Sequence, residues 1–164
     1  MPFQQHEQNG LVWFTADVLS AIPHGFSTRL GGVSPAPWDS LNLRPNQGDG
    51  PEALRENYRR FFAVLGLDET RAALSQQTHT DHIRRVTAED AGKGVTRPRD
   101  YTDVDALITN VPNLPLTVFS ADCGTILLYD PVRQAVGAAH AGWRGCAAGI
   151  VVKTAQAMAE TYGS

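Results

Sequence analysis

Cysteine is scarce in this 164-residue chain: Cys123 and Cys146 are the only two. That excludes a small secreted scaffold stapled by disulfides and makes the cytoplasm the expected compartment. Charge is also thin. Asp, Glu, Lys and Arg make up 19% of residues, and 14 basic against 17 acidic side chains leave a net charge of −3. No basic stripe stands out, so neither nucleic acid nor an anionic membrane surface is an expected partner. No apolar run approaches the ~20 residues that span a bilayer. The opening MPFQQHEQNG reads as a polar tail and lacks the basic-then-apolar pattern of a signal peptide. Internal repeats and low-complexity tracts are missing too. What is there is an ordinary globular composition, 42% hydrophobic. This length supports one core, so a single domain over residues 1–164 is expected.

Patterning along the chain predicts strands over Leu11–Phe14 and Ile22–Thr28, then a long irregular segment from Arg29 to Gly50 dense in Gly, Pro, Asn and Asp. Loops of that length inside compact domains are usually functional, and this one is expected to pack over the site. Pro51 suits a first helical position. Leu54, Tyr58, Phe61, Phe62 and Leu65 then recur at helical spacing until Gly66 stops the helix. On the other face, Arg55, Arg59 and Arg60 are expected to be solvated and paired with glutamates. Strands are predicted at Ala72–Gln76 and His82–Val86 around a polar turn, and again at Val104–Thr109, Leu116–Phe119, Thr125–Tyr129 and Gln134–Ala139. One helix is predicted from Trp143 to about Thr161, burying Ala147, Ile150, Val151, Thr154, Ala155 and Met158. Strands in the middle with helices at the flanks give an α+β class with a mixed sheet.

Of five histidines, His6 falls in the polar tail, His82 opens a strand at the surface, and His24 leads into Ser27-Thr28-Arg29 with a structural role as the alternative. His79 in QQTHTD, Cys123 in SADCGT and His140 in AAHAGWRG all fall at strand ends, where side chains converge. One thiolate and two imidazoles suit zinc with an open fourth position, and they would also accept copper. The same trio also reads as a cysteine nucleophile with a histidine base, or as a buried thiol beside core histidines. Asp122, next to Cys123, is a candidate to orient a histidine or a turn residue bonded to its own backbone. Arg144, in Gly142-Trp143-Arg144-Gly145, stands at a helix start, where it would bind an anion or stack on Trp143. Cys146, predicted inside the helix, reads as a small packing residue that reacts slowly.

Seven blocks, in order, carry a resemblance. They are HGFSTRLGGVS (His24–Ser34), SLNL (Ser40–Leu43), the stretch Gly48–Asn57, QQTHTD (Gln76–Asp81), DVDALIT (Asp103–Thr109), SADCGTILLYD (Ser120–Asp130) and AAHAGWRG (Ala138–Gly145). With these the chain resembles the YfiH/YlmD, or laccase-domain, family across nearly its whole length. The resemblance implies a three-layer α/β sandwich with a mixed sheet, of the cysteine-hydrolase-like fold group. It implies a catalytic and metal site of His79, Cys123 and His140, usually with zinc. It implies phosphorolysis of adenosine, inosine and methylthioadenosine, deamination of adenosine, and inorganic phosphate as co-substrate. On that reading Arg29 and Arg144 are candidate phosphate clamps, and Asn42 and Asp49 fix the loop or touch substrate. The expected partner is a small nucleoside, and the chain is expected to be a monomer. The family also implies alternatives: a cysteine hydrolase acting on cell-wall precursors, with Cys123 attacking and His140 as base, or the copper-dependent polyphenol oxidase of the older family label. The latter needs many histidine ligands, and the chain has five histidines in all. Family members usually continue past the last helix, so the domain is expected to lack its C-terminal part. A zinc-binding fold without turnover is therefore a further alternative. Thr78 and Thr80 flank His79 where the family more often has Val and Gly, a change expected to tune the loop.

Overall fold

A computed structural model describes residues 2–164. The chain divides into two compact units, one ending at Glu69 and the other beginning at Thr70.

The first unit opens on an antiparallel hairpin, β1 (Phe3–Gln8) and β2 (Leu11–Ala16), with β3 (Phe26–Ser27) on the far side of β2. The expected polar tail is therefore a strand. Its turn is Asn9-Gly10, both at positive φ, the residue pair that favours a two-residue hairpin. β1 is an exposed edge strand with almost no apolar residues, so periodicity gave no sign of it. His6 is not a loose surface residue. It stacks on Trp13 at 5.2 Å and bonds the Thr15 hydroxyl at 2.8 Å. The strand expected over Ile22–Thr28 shrinks to two residues. His24 ties the segment before it to β2: its Nε2 accepts from the Ala16 amide at 2.7 Å, and Nδ1 lies 2.9 Å from the Ile22 carbonyl oxygen.

Helix α1 (Pro51–Val64) starts with proline in its first turn and buries Asn57, Tyr58, Phe61 and Phe62. On its other face Glu56 pairs with Arg59 and Arg60, and these two guanidinium groups pull its carboxyl down to about 2. Asn57 organises the long loop. Its amide nitrogen donates to Ser34 Oγ at 2.8 Å, the Asn42 carbonyl at 2.8 Å and the Ser40 carbonyl at 3.3 Å, while its oxygen accepts from the Val33 amide at 2.8 Å. A fully buried amide with every group satisfied replaces the apolar core that a Gly- and Pro-rich segment cannot supply.

The second unit is built on a mixed four-stranded sheet in the order β5-β6-β9-β8. Its strands are β5 (Ile83–Arg85), β6 (Ala106–Thr109), β9 (Ala135–Ala141) and β8 (Gly124–Asp130). β5 runs parallel to β6, and the other pairs are antiparallel. A separate parallel pair joins β4 (Ala73–Leu74) to β7 (Leu116–Thr117). The strands predicted on either side of the His79 turn therefore belong to different sheets. Alternation along β6 explains the layering. Ala106 and Ile108 face the last helix with Ala139, Ile150 and Met158, while Leu107 faces the opposite cluster of Ala73, Val86, Tyr101, Val104 and Leu114. The α+β class with a mixed sheet stands.

The single helix predicted from Trp143 is broken in two. α2 (Trp143–Ala147) ends before Gly149, which sits at φ +82°, and α3 (Ile150–Tyr162) begins after it. Only glycine adopts that left-handed conformation without cost. Ile150, Thr154 and Met158 are buried as expected, while Ala147 on α2 and Ala155 on α3 are exposed. Cys146 is exposed as well, which corrects its reading as a packing residue. Among the described residues no helix is long and apolar enough to cross a membrane.

Candidate metal centre

Three segments of the second unit bring the site together. His79 lies on the loop between β4 and β5, in the left-handed region at φ +67°. Cys123 immediately precedes β8. His140 lies near the end of β9, opposite Thr125 of β8. One donor atom from each lies within 4.8 Å of the other two. Cys123 Sγ is 3.9 Å from His79 Nε2, and the two imidazole rings meet edge to face at 4.9 Å. His140 is buried, Cys123 half-buried and His79 exposed, so the trio opens on one side.

Donor chemistry and spacing both fit a metal. Tetrahedral zinc with nitrogen and sulfur ligands places neighbouring donors about 3.3–3.6 Å apart, a few tenths closer than the thiol and His79 stand here. The floor of the site is Gly142. A Cβ there would fall 2.8 Å from His79 Cδ2 and 3.4 Å from both Cys123 Sγ and His140 Cε1. Absence of a side chain is what lets the three donors close up.

Asp105 sits behind the trio. It immediately precedes β6 and is fully buried. Its Oδ1 lies 2.7 Å from His140 Nδ1 and accepts from the His79 amide at 3.1 Å. Its Oδ2 accepts from the amides of Thr78 at 2.9 Å and Thr80 at 3.1 Å, and from the Thr80 hydroxyl at 3.2 Å. Burial pushes this carboxyl up, but the bonds from His140, Thr78 and Thr80 outweigh it and hold the group below its ordinary value. The orienting carboxylate is therefore Asp105 and not Asp122, which is exposed. The sequence did contain a sign of this: an aspartate at the head of the apolar run ALIT, with nothing local to pair it.

Other side chains hold the loops in register. Gln77 is bonded to both backbone groups of Phe119, donating to its carbonyl at 2.8 Å and accepting from its amide at 2.6 Å. This joins the His79 segment to the Cys123 segment. The Ser120 hydroxyl donates to the Cys123 carbonyl, and Lys153 on α3 pairs with Asp81. Gly145 lets α2 approach the Thr80 carbonyl, where a Cβ would stand 2.8 Å away.

The remaining candidates are not part of this cluster. Arg144 is exposed on α2, its guanidinium 5.3 Å from the Trp143 ring centre, which is the stacked arrangement. Arg29 and Asn42 belong to the first unit. Arg29 donates to the Asp39 carbonyl at 2.8 Å and pairs with the Asp39 carboxylate at 3.2 Å. Asn42 donates to Asp49 Oδ2 at 2.9 Å and accepts from the Arg44 amide at 3.0 Å. Asp49 also accepts from the Ser34 hydroxyl at 2.6 Å. These bonds give Asn42 and Asp49 the loop-fixing half of the role expected of them. His82 is exposed and pairs with Asp103 at 2.8 Å.

The pattern of the multi-copper polyphenol oxidoreductase laccase family matches residues 23–164, a span that holds all three donors. The chain belongs to this family. Among laccase-domain relatives, a protein of Streptomyces coelicolor named purine nucleoside phosphorylase is 38% identical over 144 residues, which are 88% of this chain and 57% of that protein. The Escherichia coli protein named purine nucleoside phosphorylase YfiH is 37% identical over 134 residues, 82% of this chain and 51% of its own length. Solved structures agree. YfiH of Bacillus licheniformis superposes with a TM-score of 0.89 at 33% identity, covering 99% of this chain and 60% of that one. YlmD of Geobacillus stearothermophilus gives 0.85 at 33% identity, covering 98% and 59%. The chain thus spans little more than half the length of these laccase-domain relatives.

Proposed function

We propose that this chain carries the metal centre of a purine nucleoside phosphorylase. It would use zinc held by His79, Cys123 and His140 to act on adenosine, inosine and methylthioadenosine with inorganic phosphate, and to deaminate adenosine. One observation carries this reading: two imidazoles and one thiol converge over Gly142, with a buried carboxylate behind one imidazole. The names of the relatives supply the substrate class. When bound, zinc supplies Lewis-acid chemistry, stabilising negative charge as it develops and making water a stronger acid. The chain's own groups do the rest. Asp105, an acceptor only, keeps the His140 proton on Nδ1 and so leaves the Nε2 lone pair free. Cys123 acts as a thiolate and brings the negative charge that holds a dication. Arg29 and Arg144 are the candidate phosphate clamps, and Asn42 is a candidate substrate contact. The chain would work as a cytoplasmic monomer.

Copper oxidation of polyphenols has less support. Among the described residues the cluster contains two histidines, while His6, His24 and His82 are committed to Thr15, backbone groups and Asp103. A second reading has a specific observation behind it. Cys123 Sγ stands 3.9 Å from His79 Nε2, within reach of a thiolate–imidazolium pair. In that case the base of a cysteine hydrolase would be His79 in place of His140.

The test is chromatographic. The purified chain, loaded with zinc, should release free base from a purine nucleoside only when phosphate is present, and Cys123→Ala should abolish this. A chain that binds zinc stoichiometrically but never releases base would leave a metal-binding fold without turnover. Thiol titration separates the two readings of Cys123. Zinc-loaded protein should show one reactive thiol, the exposed Cys146, and chelated protein two. Two fast thiols in the loaded protein would favour the nucleophile.

A further inference from the structure

We propose that Asp105 is the positioning residue of this site, a single carboxylate that fixes the tautomer of one histidine ligand, His140, and the backbone of the other, His79. The inference rests on the metal-site reading above.

The two oxygens of Asp105 have different tasks. Oδ1 takes the Nδ1 proton of His140 and the amide of His79. Oδ2 takes the amides of Thr78 and Thr80 and the Thr80 hydroxyl. Three successive amides, 78 to 80, thus point at one carboxylate, and this holds His79 at its positive φ. The backbone adds a further link, because the His140 amide donates to the Asp105 carbonyl at 2.8 Å. Every one of these partners is a donor. The position therefore needs a group with two acceptor oxygens and no proton of its own.

Asparagine is nearly the same shape but has one acceptor and one donor. If its oxygen faces His140, its NH2 group opposes the amides of Thr78 and Thr80, and the His79 loop loses its anchor. If the oxygen faces the loop, the NH2 group donates to His140 Nδ1. The imidazole proton then moves to Nε2, and the lone pair meant for the metal is gone. Either orientation removes one ligand from its working geometry. Gln77 is a useful contrast. It links the His79 segment to Phe119 through backbone groups alone, touching neither imidazole.

The experiment uses the full chain in two steps. First, nitrogen-15 NMR of the metal-free protein, at mildly alkaline pH, reads the tautomer of each imidazole. His140 should be the Nδ1–H form in the wild type and become Nε2–H, or a mixture, in Asp105→Asn. A wild-type His140 in the Nε2–H form would overturn the proposal, and this step needs no variant to fold. Second, cobalt(II) titration reads the site through its visible absorption. Asp105→Asn should bind about 10–100-fold more weakly with an altered band, as is usual when a partner behind a ligating histidine is lost. Asp105→Glu keeps two acceptors and should recover part of that loss. Gln77→Ala should leave the His140 tautomer unchanged. Unaltered cobalt affinity and spectrum in a folded Asp105→Asn would also overturn the proposal. A wild type that shows the Nδ1–H form but binds no metal would sink the metal-site reading while leaving the role of Asp105 intact.

Discussion

At Gly142 the smallest side chain has the largest consequence. Its φ is −67°, so alanine can adopt the backbone without strain. The added methyl, however, would fall 2.8 Å from His79 Cδ2 and in contact with the thiol and the other imidazole. Gly142→Ala should therefore fold and melt nearly as the parent does, while zinc affinity, measured against a chromophoric chelator, falls at least tenfold. An unchanged affinity would mean that His79 has room to swing away and return. The residue scale is also where the sequence was most and least legible. His79, Cys123 and His140 could be picked out because few residue types ligate metals and the motifs around these three carry the family resemblance, although His79 lies in mid-loop and not at a strand end as expected. Asp105 was harder to see. Inside a predicted strand it shows no partner until strand pairing brings His140 to it, 35 positions along the chain.

Elements with a strong period were readable. α1 has an apolar face, a proline start and a glycine after its end, and its bounds differ from expectation by a residue or two. β6, β8 and β9 were found as apolar runs. Two kinds of element escaped. β1 is polar after Phe3 because it is an exposed edge, so only the Asn9-Gly10 turn betrays it. The break between α2 and α3 was hidden because Gly149 lies inside an otherwise continuous helical pattern, and its positive φ shows only in three dimensions. Gly149→Ala should destabilise the protein by about 1 kcal/mol or more in urea denaturation, since alanine resists that conformation. Stabilisation would mean that the two helices can merge into one. Leu107→Ala tests the sheet itself. Leu107 has no exposed surface and sits in the cluster opposite α3, so its loss should cost about 2–5 kcal/mol.

At the scale of the whole molecule, net charge is small, and the ionic features that matter are buried. Asp90 caps the turn at Thr87 and meets Lys93 at 2.7 Å and Arg84 at 2.8 Å. Burial pushes its carboxyl up, but Lys93, the Thr87 amide and Arg84 prevail and hold it far below the ordinary aspartate value. A carboxyl depressed in the folded state stabilises the protein above its unfolded pKa, about 3.9, and that contribution is lost as pH falls toward the folded pKa. Stability should therefore decline below about pH 4, and in Asp90→Asn the decline should be shallower, from a lower starting value. A parallel decline in both proteins would locate the acid sensitivity elsewhere.

The donors of the site are far apart along the chain, Cys123 coming 44 positions after His79. In an unstructured chain they are scattered, and they meet only after β6, β8 and β9 have paired. A metal recognising the assembled trio therefore binds one side of the folding equilibrium and acts by mass action. At a free concentration 100 times its dissociation constant it adds about 2.7 kcal/mol to stability, so the melting temperature becomes a reading of metal supply. Cells short of metal would then hold less of this protein, because the unliganded chain spends more time open to proteases.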